Sequence, residues 1–293
     1  MVFRSGPPRP QPGGPLRLAG SRRQLFDTAS TTARDPRLQV YMSDMVAPYG
    51  LAYHDEVRQA GLGQSYAEMC QPLVESLVPA DEPIDLLVLA FGLHDLRPGQ
   101  ASSIYLGHVC PGDPLALSVC DQGSAAPFTA LRLIQTYART GNVRRALLLV
   151  AEQGTVHYDL PRPAPLPQRQ AAVALLLDAD AGLELAPVRQ RSGVPPAQLR
   201  SALAAELAAI GDPAGRTLLL GARLAAEDVA GIPADAVLPA PAGQPCSGAW
   251  WQLAEEGGQS RPGQLVVVDY EPDLGYLSVA ALQPARQPAG IGA

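Results

Sequence analysis

Four short, unbroken apolar runs constrain this chain more than any other feature: residues 84–91 (IDLLVLAF), 145–151 (RALLLVA), 170–177 (QAAVALLL) and 264–270 (QLVVVDY). Each is long enough for a strand and far short of the roughly 18–20 apolar residues that cross a bilayer. A strand with one wet face alternates apolar and polar residues. These runs do not alternate, so both of their faces must be covered. The segments between them can supply the covering helices. Apolar residues at helical spacing (Leu62, Tyr66, Met69, Leu73, Val74, Leu77) predict a helix over 62–78. Further helices are predicted from 120–127 to residue 140, where Gly141-Asn142 stops the helix, and over 197–210, 222–231 and 247–256. Shorter strands are expected at 115–119 and 217–220, and a closing hairpin pairs 264–270 with 276–282 through Glu271-Pro272-Asp273. Strands alternating with helices mean an α/β architecture, with helices covering a buried sheet.

With 293 residues, 47% of them apolar and 17% charged, the chain can bury a large core and is neither disordered nor a disulfide scaffold. The proline-rich segment 159–168 reads as loop. All 22 basic residues are Arg, which excludes Schiff-base and phosphate-loop lysine chemistry. Five of those Arg fall in residues 1–23, which hold no acid and read as a flexible leader; the remaining, acidic body argues against nucleic-acid binding. The expected division is a 1–23 leader followed by related halves at 24–178 and 179–293. Cys70, Cys110, Cys120 and Cys246 form no CxxC pair, so reduced, buried thiols in a cytoplasmic protein are expected, without a zinc site. No membrane segment is expected. The histidines are His54, His94, His108 and His157, and none follows residue 157.

Three segments in order carry a family resemblance: 84–107 (IDLLVLAFGLHDLRPGQASSIYLG), 114–153 (PLALSVCDQGSAAPFTALRLIQTYARTGNVRRALLLVAEQ) and 249–282 (AWWQLAEEGGQSRPGQLVVVDYEPDLGYLSVAAL). Over about residues 60–283 the chain resembles the β-ketoacyl-ACP synthase III branch of the thiolase fold. The resemblance implies two related α/β halves packed as five layers, αβαβα. It also implies a broad dimer interface and a substrate delivered on a phosphopantetheine arm, from acyl carrier protein or CoA, with no bound cofactor. In that family a Cys at a buried helix N-terminus is the nucleophile, its thiol activated by the helix end. A His and an Asn from the second half stabilise the oxyanion and promote decarboxylation.

Each of these groups is altered here. The nucleophile position falls on Ser124, or on Gly123 with a one-residue slip; Cys120 lies before the turn and would need a shift of register. The turn that holds the family's His reads Leu220-Gly221-Ala222-Arg223. In the Asn region, Ala242-Gly243-Gln244-Pro245-Cys246-Ser247, Gln244 is the nearest amide. The Gly-rich loop that lends a backbone N–H to the oxyanion reads Glu271-Pro272-Asp273-Leu274-Gly275, where Pro272 has no N–H and two acids oppose negative charge.

Ser124 has two readings: a nucleophile with His157 as base and Asp159 as orienter, or a helix cap without chemistry. Gln122 is a candidate for a pantetheine amide. Trp250 and Trp251 either line an acyl tunnel or pack in the core. His94-Asp95 reads as polar structure near the site mouth, and His54-Asp55-Glu56 lacks a second ligand cluster, so no metal site is expected. Arg144-Arg145 and Arg189 with Arg191 could dock an acidic carrier protein. The leading functional expectation is a condensation-incompetent subunit of polyketide or other specialised acyl metabolism, in a homo- or heterodimer with a ketosynthase III-like chain. The alternatives are an acyltransferase that moves an acyl group to a hydroxyl or amine through Ser124, and a carrier-protein or ligand-binding module.

Overall fold

The apolar runs lie at the centre of one continuous sheet. The computed structural model of the protein describes residues 14–30, 32–141, 143–160, 166–211, 214–257 and 263–284. The first half comprises β1 (Arg17–Leu25), α1 (Pro36–Val46), α2 (Asp55–Ala60), α3 (Tyr66–Leu77), β2 (Leu86–Ala90), α4 (Ser102–Val109), β3 (Leu115–Val119), α5 (Ala126–Arg139), β4 (Arg145–Glu152) and β5 (Ala171–Asp178). The second comprises β6 (Leu183–Leu185), β7 (Arg189–Arg191), α6 (Leu199–Ala208), β8 (Arg216–Leu220), β9 (Ala236–Pro239), α7 (Gly248–Glu256), β10 (Gln264–Glu271) and β11 (Tyr276–Gln283).

The two halves repeat one plan. β2 pairs in parallel with β3 and β4, and β4 is antiparallel to β5. Likewise β8 pairs in parallel with β9 and β10, and β10 is antiparallel to β11. The strand order is β3-β2-β4-β5-β1-β6-β11-β10-β8-β9, with β7 beside β11.

Alternation along each strand divides the core into layers. Leu87 and Leu89 of β2 face an outer layer with Met69, Leu73 and Val74 of α3 and Leu106 of α4. Leu86, Val88 and Ala90 face inward, where Phe128 of α5 meets Trp250 of α7 edge-on at 4.7 Å. Leu218 and Leu220 of β8 face the second outer layer, with Leu203 and Leu207 of α6. Helices outside, two sheet halves, and α5 with α7 between them give the five-layer αβαβα arrangement of the thiolase-like fold.

Several expectations change. Residues 17–23, read as flexible leader, belong to β1, whose Leu18 is buried and whose backbone pairs with β5 and β6; residues 1–13 lie outside the described residues. The high Arg content hid a strand. Arg23 sits over the Trp251 ring of α7 at 4.8 Å and bonds Glu255 on the same helix, and Arg17 donates to the Ala179 carbonyl at 2.6 Å. The helix expected at 222–231 is a single 3-10 turn, Ala226–Val229. There Asp228 accepts the Ala225 N–H at 2.9 Å, and Gly231-Ile232-Pro233 ends the segment. The 62–78 helix starts at Tyr66, because Ser65 and Glu68 form a reciprocal capping box. Residues 161–165 of the expected loop and Asn142 of the expected helix stop lie outside the described residues. Helices α1, α2 and α4 had no counterpart among the sequence expectations; Asp35 caps α1, with Pro36 opening it.

Candidate functional site

Parallel strands place a cavity at their carboxyl ends, where chain leaves the sheet and backbone groups are free to meet a ligand. The loops after β2, β3, β4, β8 and β9 and the end of β10 line a cavity of about 360 Å³. Its walls include Leu93, Ser124, Glu152, Arg223, Cys246 and Glu271. The acids among them follow from strand periodicity. Ala146, Leu148 and Val150 are the inward row of β4, and Glu152 is its next member. Leu265 and Val267 are the inward row of β10, continued by Asp269 and Glu271. Each apolar row thus ends in carboxylates at the same end of the sheet.

Ser124 sits in a tight turn between β3 and α5. Asp121 has φ 61° and Gly123 φ 52°, both left-handed, and Gly123 opens a 3-10 turn that runs into α5. Pro127 then lies in the first turn of α5, where the missing N–H costs no helical bond. Two carboxylates of β10 hold the serine. Its backbone N–H donates to Glu271 Oε2 at 3.0 Å and its hydroxyl donates to Asp269 Oδ1 at 2.9 Å. Glycines on the facing turns make room for both acids. A Cβ on Gly123 would overlap Glu271, and a Cβ on Gly221 would overlap the Asp269 carboxylate. Gly221 lies in the turn that carries the catalytic His in the family resembled, so a carboxylate now fills the space beside that position.

Glu152 performs a different task. Oε2 accepts the Cys246 N–H at 2.8 Å, and Oε1 accepts the Ser247 N–H at 3.0 Å together with the Ser247 hydroxyl. It caps α7 from the other half of the molecule, satisfying N–H groups that helix formation leaves unpaired. Burial pushes its carboxyl up to about 7, against the pull of these bonds. Burial pushes Asp269 up to about 8; the Ser124 hydroxyl opposes this, and the Glu271 charge adds to it. The Cys246 thiol is raised well above its ordinary value, first by burial and then by Glu152, Asp269 and Glu271. A thiol in this setting stays protonated and is a poor nucleophile.

The residues expected from sequence are not brought together. Asp159 pairs with His54 Nε2 at 3.2 Å, not with His157. The His157 ring packs against Tyr53, with centroids 5.8 Å apart, and its carbonyl accepts the His54 N–H. Neither His157 nor Asp159 lines the cavity, so the Ser124–His157–Asp159 set is replaced by Ser124 between Asp269 and Glu271. The β4–β5 connection carries both residues to the Tyr53–Tyr158 bridge instead. Gln122 Oε1 accepts the Thr129 hydroxyl at 2.6 Å. Gln244 is buried and donates to Ser247 at 3.3 Å, while Pro245 and Cys246 beside it line the cavity. Trp250 is fully buried against Phe128, which makes it core. Cys120 donates to its neighbour Asp121 and does not line the cavity. Among the described residues no group of three His, Cys, Asp or Glu is placed to hold a metal ion, and no helix is long and apolar enough to cross a membrane.

No protein-family model matches the chain, and no curated protein sequence matches it. Solved structures do. The ChlB3 acyltransferase superposes with a TM-score of 0.62 at 16% identity, covering 92% of this chain and 97% of that one. AbyA1, a tetronic acid condensing enzyme, gives 0.63 at 15%, covering 92% and 100%. OleA from Xanthomonas campestris, determined with bound lauric acid and lauroyl-CoA, gives 0.61 at 12%, covering 92% and 99%. The 3-oxoacyl-[acyl-carrier-protein] synthase III of Aquifex aeolicus gives 0.60 at 11%, covering 92% and 100%. With the repeated strand plan and the central helix pair, these superpositions establish that the chain has the thiolase-like fold of the synthase III-type condensing enzymes.

Proposed function

We propose that this protein is a non-condensing subunit of acyl metabolism of the polyketide or another specialised kind. It works on or beside acyl-carrier-protein or CoA thioesters and is paired with an intact ketosynthase III-like chain. The observation that carries the reading is the Glu271 carboxylate on the Ser124 N–H at 3.0 Å. That N–H is the donor nearest the nucleophile position, and a thioester carbonyl would need it free to stabilise a developing oxyanion. An internal carboxylate occupies it, and the same serine's hydroxyl is bonded to Asp269. No histidine lines the cavity to take up a proton or promote decarboxylation. The substrate would arrive on a phosphopantetheine arm; in support, the OleA neighbour was determined with lauroyl-CoA and the synthase III neighbour is named for the acyl carrier protein.

The test uses the purified chain with acyl-pantetheine and malonyl-pantetheine thioesters. The expected outcome is no β-ketoacyl product from the chain alone, no acyl adduct by intact mass, and a stable complex on adding a cysteine-containing ketosynthase III homologue. A β-ketoacyl product from the chain alone overturns the reading. A second reading, acyl transfer through Ser124, is favoured by the 2.9 Å contact to Asp269, which could accept the serine proton. An acyl adduct that disappears in Ser124→Ala would select it.

A further inference from the structure

We propose that the junction between the start of α2 and the β4–β5 connection is an acid-sensitive latch, with His157 as its trigger. His54, His94 and His157, three of the four histidines of the chain, meet there. Tyr53 and Tyr158 form an isolated antiparallel bridge. The His54 N–H donates to the His157 carbonyl at 2.7 Å, and the Tyr53 and His157 rings pack together. These contacts hold the outgoing leg of the connection. Its return leg passes through Leu166 and Pro167 in the cavity wall, and Gly154 lies so close to the Pro167 carbonyl that a Cβ would overlap it. The junction therefore braces one wall of the cavity.

The three histidines differ in what surrounds them. His54 has carboxylates placed to receive a positive charge, Glu56 at 3.3 Å and Asp159 at 3.2 Å. His94 Nδ1 donates to the Asp95 carbonyl and its Nε2 accepts the Tyr158 hydroxyl, each at 2.9 Å. His157 is 1% exposed, and its Nε2 is buried without a hydrogen-bond partner among the described residues. An imidazolium at that position would carry an N–H that neither water nor an acceptor receives while the junction is closed. His94 and the Arg58 guanidinium oppose the charge from the facing segments. Asp55 favours it, but its carboxylate is already bonded to Arg58 at 2.7 and 3.2 Å and to Gln59 at 2.6 Å. Burial first, and then His94 and Arg58, hold His157 below the ordinary histidine value. Opening the junction lets water reach the ring, which then titrates near 6.5. The closed form is thus fully favoured above that pH and loses ground as pH falls below it, until His157 charges in the closed form as well. At pH 5.5 one such histidine raises the open population by up to about tenfold. This inference does not depend on the subunit reading, because it concerns contacts within the chain itself.

The experiment follows amide exchange of the full chain by mass spectrometry at pH 7.5 and 5.5, with rates corrected for the intrinsic pH dependence of exchange. Peptides covering 53–60 and 153–160 are expected to lose protection by up to about tenfold at pH 5.5, while β2 and β4 keep theirs. His157→Phe keeps a ring against Tyr53 and cannot be charged, so it should remove the difference. His157→Gln is a second uncharged variant of different shape and should act in the same way. His108→Gln, on an exposed position of α4, should leave the difference intact. Histidine NMR of the unaltered chain should show His157 titrating below 6.5. Equal protection at both pH values, a difference that persists in both uncharged variants, or a His157 that titrates at its ordinary value overturns the proposal. So does an equal loss of protection in β2 and β4, which would mean that the whole fold yields and not the junction.

Discussion

Replacing Asp269 with Asn should make the protein more stable at alkaline pH. In the folded chain its carboxyl is raised from 3.8 to about 8, mainly by burial. The unfolded chain therefore gives up this proton first. Between about pH 4 and pH 8 unfolding releases a proton, so stability falls as pH rises, and the loss is complete above the folded value. At 1.36 kcal/mol per pH unit, a window of this width corresponds to on the order of 5 kcal/mol. Asn cannot ionise, yet its carbonyl oxygen can still accept the Ser124 hydroxyl that Asp269 Oδ1 accepts at 2.9 Å. Urea unfolding at intervals from about pH 5 to pH 9 should give converging curves at the acid end and a variant more stable by several kcal/mol at the alkaline end. Parallel pH profiles, or an Asn variant weaker than the parent at alkaline pH, would refute the reasoning, since either would mean that Asp269 is ionised and compensated in the fold.

Two further outcomes follow from the same contacts. Glu152→Ala removes the acceptor for the Cys246 and Ser247 N–H groups and the Ser247 hydroxyl. Thermal unfolding at about pH 6 should show a loss of about 2–4 kcal/mol, with Glu152→Gln losing less because it keeps one acceptor oxygen. Gly221→Ala should destabilise by about 1–3 kcal/mol through overlap with the Asp269 carboxylate, and much of that should return in the double variant with Asp269→Ala. Additive single effects in that cycle would mean the two positions do not compete for space.

The buried frame was legible because strands covered on both faces have an unmistakable composition, and every such run is a strand in the structure. The site was legible in part. Ser124 and the acids of the 271–275 loop were identified as features of one site, but the base was sought in His157. Sequence order placed that histidine after β4, yet the long β4–β5 connection leads it to Tyr53. Asp269 and Glu152 went unrecognised although a signal existed. Each is an acid in the inward row of an otherwise apolar strand, and the period-two rule puts it on the same face as the leucines and valines before it. Trp250 misled in the other direction, because a large aromatic near a site serves a core as readily as a tunnel. The β1 strand was hidden by arginines that composition alone assigns to flexible chain.

That strand also governs how the molecule is made. Every backbone partner of β1 lies in residues 171–178 or 183–184, so β1 stays unpaired until more than 145 further residues have been made. Contacts so distant in sequence close large loops and form slowly. While it waits, β1 is an open strand edge, the kind of surface that recruits other chains into aggregates. Arg17, Arg22 and Arg23 give that edge a concentrated positive charge, with no acid in the strand to offset it. The arginines that obscure β1 in the sequence are therefore the kind of charge that opposes edge-to-edge pairing of unfinished copies until β5 and β6 can receive the strand.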